Sequence, residues 1–69
     1  MFAVDDSLIR SLLFKRGLTV REFARRAGIN GLTARKVVKD GAKVNGRIVG
    51  ALAKFFGIEG EALLKKEVI

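Results

Sequence analysis

The chain has 69 residues, enough for one domain with a small core and little stability in reserve. Apolar residues make up 49% and charged residues 30%, a globular balance, and the formal net charge of +7 favours polyanionic partners. With no Cys and no His there is no disulfide, no thiolate or imidazole metal ligand, no thiol nucleophile and no imidazole base.

Leu8, Ile9, Leu12 and Leu13 recur at helical spacing behind Asp5, Asp6 and Ser7, which cap a helix start and complement its dipole. Gly17 ends this first helix. Thr19-Val-Arg-Glu22 fits a capping box at the start of a second helix of about eight residues, with Leu18 as its hydrophobic staple. That helix sets Phe23, Ala24 and Ala27 against Arg21, Arg25 and Arg26, then meets Gly28, suited to a left-handed C-terminal position. Asn30 caps a third helix running to about Lys39, with Ala34, Val37 and Val38 inward and Arg35, Lys36 and Lys39 outward, stopped by Asp40-Gly41.

Asn45 caps a fourth, strongly apolar helix carrying Ile48, Val49, Leu52, Ala53 and Phe56, which closes at Gly57. Of the adjacent Phe55 and Phe56, one is expected in the core and the other exposed. A last short helix is expected from about Glu59 to Lys66, offering Ala62, Leu63 and Leu64. Met1–Val4 and Glu67–Ile69 belong to no predicted element. Their apolar residues read either as disordered tails or as parts of a dimer surface, and the dimer is preferred because a small core gains from oligomerisation. Five short helices with no convincing strand give an all-α, compact, single-domain fold over residues 1–69.

The charge is concentrated. From Lys15 to Arg47 ten basic residues face only Glu22 and Asp40, a net +8, while the flanks are nearly neutral. Lys54, Lys65 and Lys66 lie outside this cluster near acidic residues and read as solvated surface; Arg10, Lys15 and Arg16 are left open. A helix, a Gly-centred turn and a second helix over about residues 20–39 form the geometry that lays one helix across a DNA backbone and holds the next in the major groove. Ala24 is small where the helices approach, and Phe23, Ala27, Ile29, Ala34 and Val37 anchor both sides.

These segments resemble the Xre-type helix-turn-helix family, which includes the Cro and repressor proteins of lambdoid phages. The resemblance runs from about Leu8 to Lys65 and is carried by Gly17-Leu-Thr-Val-Arg-Glu-Phe-Ala24, Ala27-Gly-Ile-Asn30, Ile48, Ala51-Leu-Ala-Lys-Phe-Phe-Gly-Ile58 and Ala62-Leu-Leu64. It implies a lambda-repressor-like five-helix domain that binds operator DNA, usually as a dimer, and regulates transcription. The family's base-reading positions fall on Asn30, Gly31, Leu32, Arg35 and Lys36, and its backbone contacts near Val20, Arg21, Thr33, Lys39 and Lys43.

The chemistry of those residues is uneven. Arg and Lys can donate to guanine, and Asn can pair with adenine, but Leu32 offers only apolar contact and Gly31 no side chain. Leu32 reads equally as a groove contact or a partly buried helix residue, and shape readout gains weight. Val20 stands where phage proteins often place Gln, so Arg21 or Arg25 is the substitute phosphate contact.

The expected function is therefore sequence-specific binding of double-stranded DNA as a Cro-like transcriptional repressor of a phage or mobile element, as a homodimer on a palindromic operator. The alternative is a protein-interaction module, such as an antitoxin, that retains the fold. Membrane binding fails on pattern, since caps and Gly stops specify a tertiary fold rather than one long amphipathic run. No enzyme is expected, because no acid and base pair, nucleophile or metal set can be assembled. Nor is a cofactor, metal or small-molecule ligand. Neither a signal-peptide pattern nor an apolar run of about 18 residues occurs, so a soluble, cytoplasmic protein is expected.

Overall fold

Every α-helix in the computed structural model, which describes residues 1–65, starts behind a side chain that accepts from its first turn. Asp5 accepts from the Leu8 N–H at 3.2 Å ahead of α1 (Asp6–Arg16). Thr19 accepts from the Glu22 N–H at 3.1 Å ahead of α2 (Val20–Ala27). Asn30 accepts from Leu32 at 2.8 Å ahead of α3 (Gly31–Asp40), and Asn45 from Ile48 at 3.0 Å ahead of α4 (Gly46–Phe56). Each cap contributes about 1 kcal/mol by satisfying a donor that the helix cannot. At α2 the Glu22 carboxylate accepts from the Thr19 hydroxyl, at 3.1 Å, so the pair holds one backbone donor where the sequence pattern predicts two.

The helix ends repeat a device. Glycine closes α1, α2 and α4, and the apolar residue after it donates back into the helix, Leu18 to Leu13 and Ile29 to Ala24 at 3.0 Å, Ile58 to Ala53 at 3.1 Å. Leu18, Ile29 and Ile58 then pack on the core, so each turn is fixed both by hydrogen bonds and by burial.

The core draws Ile9 and Leu13 from α1, Phe23 and Ala24 from α2, Ala34, Val37 and Val38 from α3, and Leu52 and Phe56 from α4. Val4, Val44 and Leu63 complete it, and no polar side chain is buried among the described residues. α3 packs on both α1 and α2, while α4 covers α2. Phe23, Phe55 and Phe56 form a triangle of rings with centroids 5.0–5.7 Å apart. Phe56 is buried as expected; Phe55 is half-buried rather than exposed, because its ring also packs on Phe23.

Two expectations are corrected. The first is the absence of strands. β1 (Phe2–Ala3) pairs antiparallel with β2 (Lys43–Val44), Phe2 opposite Val44. Val4 is fully buried. The apolar N-terminal run is thus no loose tail over this stretch, because its backbone is hydrogen-bonded and Val4 fills the chain's own core, while Met1 and Phe2 stay exposed. Val68 and Ile69 lie outside the described residues.

The second is the fifth helix. In its place stands a single 3-10 turn, Gly60–Leu63, with no side-chain cap from Glu59. Leu64 is extended and bridges Val4, the Lys65 N–H donates to Ala3 at 2.9 Å, and Asp5 donates to Leu63 at 2.8 Å. The segment exchanges helical hydrogen bonds for strand-like ones, a choice helped by Gly60, which is poor in helices. Over the described residues the protein is therefore a mostly helical domain with four α-helices and a small β-ribbon. Of the three apolar residues this segment offers, Leu63 is buried, Leu64 half-buried and Ala62 exposed. Lys66, the expected end of that helix, lies outside the described residues.

Candidate nucleic-acid interface

α2 and α3 are joined by three residues, Gly28, Ile29 and Asn30. Gly28 takes a left-handed backbone, φ 71°, which an L side chain adopts only with strain, and this lets α3 leave at once in a new direction. Ile29 anchors the turn on the core and Asn30 caps α3. Phe23 and Ala24 on one side and Ala34, Val37 and Val38 on the other are buried, so the two helices are held as one packed unit.

Burial of Ala34, Val37 and Val38 fixes the roll of α3. Leu32, Arg35, Lys36 and Lys39, spaced i, i+3, i+4 and i+7, consequently share its exposed face. Leu32 is 61% exposed, so it is a surface leucine rather than a partly buried one, on the helix face that continues into Arg35, Lys36 and Lys39. Gly31 is exposed, and a Cβ added there would meet no atom within 4 Å. The amide oxygen of Asn30 is held by its cap to Leu32, so the bidentate pairing with adenine open to an asparagine would have to share that oxygen.

Thr33 is half-buried, and with Lys36, Lys43 and Asn45 it lines a groove between α3 and the β2–α4 junction, floored in part by Val44 and Ile48. The groove brings together Lys36 from the base-reading set and Thr33 and Lys43 from the phosphate set. Lys39 lies one turn beyond Lys36 on the same helix face. Arg21 and Arg25 are exposed four residues apart on α2, and Val20 is half-buried against the core, so it packs rather than offering a polar contact. Arg21, Arg25, Arg35, Lys36, Lys39 and Lys43 make no ion pair among the described residues.

Other cations are committed to the fold. Arg10 pairs with Asp6 at 2.6 Å and donates to the Val38 carbonyl at 2.7 Å. Arg16 donates to the Phe56 carbonyl at 3.0 Å and lies 5.3 Å from the ring centroid of Phe56, a cation–π contact that ties the ends of α1 and α4. Arg26 sits 3.9 Å from Glu22. Arg47 is a further cation to which sequence reasoning gave no role: it is exposed in the first turn of α4, two residues from the groove residue Asn45, and makes no ion pair among the described residues. Its place inside the basic stretch was the available signal.

Comparison of the chain with protein-family models, curated proteins and solved structures found no match. No helix among the described residues is long and apolar enough to cross a membrane.

Proposed function

We propose that the protein binds double-stranded DNA sequence-specifically as a Cro-like helix-turn-helix transcriptional regulator, with α3 in the major groove and α2 across the backbone. The observation that carries this reading is the outward face of α3: Arg35, Lys36 and Lys39 are exposed and without an ion pair among the described residues, on a helix fixed by a three-residue turn to one that carries Arg21 and Arg25. A solvated surface of equal charge would be expected to interleave acids. Here Glu22 and Asp40 alone offset ten cations between Lys15 and Arg47.

In this reading Arg35 and Lys36 donate to guanine edges, while Arg21, Arg25, Lys39, Lys43 and the Thr33 hydroxyl hold phosphates. Asn30 contributes its amino group. The domain is a variant of the lambda-repressor-like arrangement in which the fifth helix shrinks to one 3-10 turn. Two copies act on a palindromic operator, which a two-fold pair of groove helices requires.

Selection of bound duplexes from a random pool at about physiological salt, where non-specific binding is weak, tests the proposal. A palindrome with half-sites about one helical turn apart is the expected product. Binding without enrichment would mean that charge alone holds DNA. No binding would favour the second reading, a protein-interaction module or antitoxin with this fold.

A further inference from the structure

α3 presents an anomaly for a helix meant to read hydrogen-bonding edges. Its first turn offers little side-chain polarity: Asn30 is engaged in its cap, Gly31 has no side chain, Thr33 is half-buried, and the residue pointing outward is Leu32. A leucine 61% exposed one turn ahead of Arg35 and Lys36 is an apolar group at the leading end of a cationic face. Exposure there forfeits the burial that a leucine ordinarily contributes, and a surface that neutralises phosphates is served better by a polar residue. Water is a poor neighbour for it, and so is a second apolar protein surface, because covering it would also desolvate the surrounding cations.

Double-stranded DNA resolves both demands together. Its phosphates neutralise the cations that follow along the helix face, and its major groove contains one apolar group, the C5-methyl of thymine. We propose that Leu32 is a specificity-determining residue that reads a pyrimidine C5-methyl group, an inference that rests on the DNA-binding reading above. Gly31 assists by absence: with no Cβ, the first turn can approach the base edge closely. Arg35 and Lys36 follow one turn later, about 5 Å along the helix, a span of one or two base pairs. The readout at the start of α3 is therefore a methylated pyrimidine beside a guanine, sensed by shape and burial at the first position and by charge-assisted hydrogen bonds at the second.

The test replaces thymine by deoxyuridine, one position at a time, in the duplex recovered by selection, which removes the methyl group and leaves Watson–Crick pairing intact. At one position in each half-site affinity should fall about fourfold, the effect of uncovering one methyl-sized group. Leu32→Ala should bind the thymine duplex more weakly and lose the distinction, so that thymine and deoxyuridine duplexes bind alike. Because Leu32 is exposed, thermal melting of the variant should match the parent. A selected duplex that shows no thymine-to-deoxyuridine effect at any position overturns the inference while leaving DNA binding intact, as does equal sensitivity in Leu32→Ala. Failure to select any duplex overturns the DNA-binding reading and this inference with it.

Discussion

The Arg10 guanidinium donates to the Val38 carbonyl at 2.7 Å, linking α1 to the last turn of α3 across 28 residues of chain. The carbonyl lies where a helix runs out of its own donors, so the contact both satisfies an orphan acceptor and fixes the far end of the proposed groove helix. Arg10→Ala removes it together with the Asp6 pair. Because the arginine is about half exposed, the expected loss is about 1–2 kcal/mol, measured by thermal or urea unfolding. An unchanged midpoint would show that water replaces the guanidinium without loss.

The same cluster sets an acid limit. The hydrogen bond from Arg10 holds the Asp6 carboxyl below the ordinary aspartate range, against an opposing push from desolvation. Since the folded value is the depressed one, the stability contributed by Asp6 is complete above about pH 4, the unfolded range, and is lost as pH falls through the folded value. Asp6→Asn should flatten the acid limb of unfolding free energy plotted against pH. An identical limb in the variant would assign acid sensitivity to other carboxylates.

Two glycines should respond oppositely to alanine. At Gly41 φ is 57°, and an added Cβ would lie 2.9 Å from the Val4 carbonyl oxygen and 3.0 Å from an Asp6 carboxylate oxygen, so Gly41→Ala should cost about 2–3 kcal/mol through backbone strain and displacement of the Val4 backbone. Gly50 is exposed inside α4 with nothing within 4 Å of that position, so Gly50→Ala should stabilise by about 0.5–1 kcal/mol. Chemical denaturation of both variants reads the contrast; equal shifts would remove the steric account.

Helix starts and stops were legible because each is encoded locally: Asp5, Thr19, Asn30 and Asn45 cap with their own side chains, and Gly17, Gly28, Gly41 and Gly57 close. The β-ribbon was not, since Phe2–Ala3 and Lys43–Val44 are two residues each and owe their conformation to a partner about 40 residues away. The fifth helix failed for the same reason, as Leu64 is claimed by Val4 from the opposite end of the chain. Within the candidate interface, charge and periodicity placed Arg35, Lys36 and Lys39 on one face. The exposure of Leu32 depended on how α3 rolls against the core, and the roles of Arg10 and Arg16 depended on carbonyls of α3 and α4 that no local pattern announces.

The cations of the interface should separate into two classes by salt and sequence dependence. Arg35 stands on the outward face of α3 one turn beyond Leu32, where a guanidinium can reach a guanine edge. Arg35→Ala should cost about 1–3 kcal/mol per half-site on the selected duplex and relax preference at one base pair in each half-site, with little change on random DNA. Lys39 and Arg21, assigned to phosphates, should behave differently: Lys39→Ala or Arg21→Ala weakens all duplexes alike and reduces the slope of log affinity against log salt by about one per subunit, about two for the bound pair, because each copy releases one fewer counterion. Fluorescence anisotropy across a salt series, with selected and scrambled duplexes, reads both quantities at once. A loss at Arg35 that is equal on both duplexes and salt-dependent would move this arginine to the phosphate class, and the base-reading position would then have to be sought at Lys36.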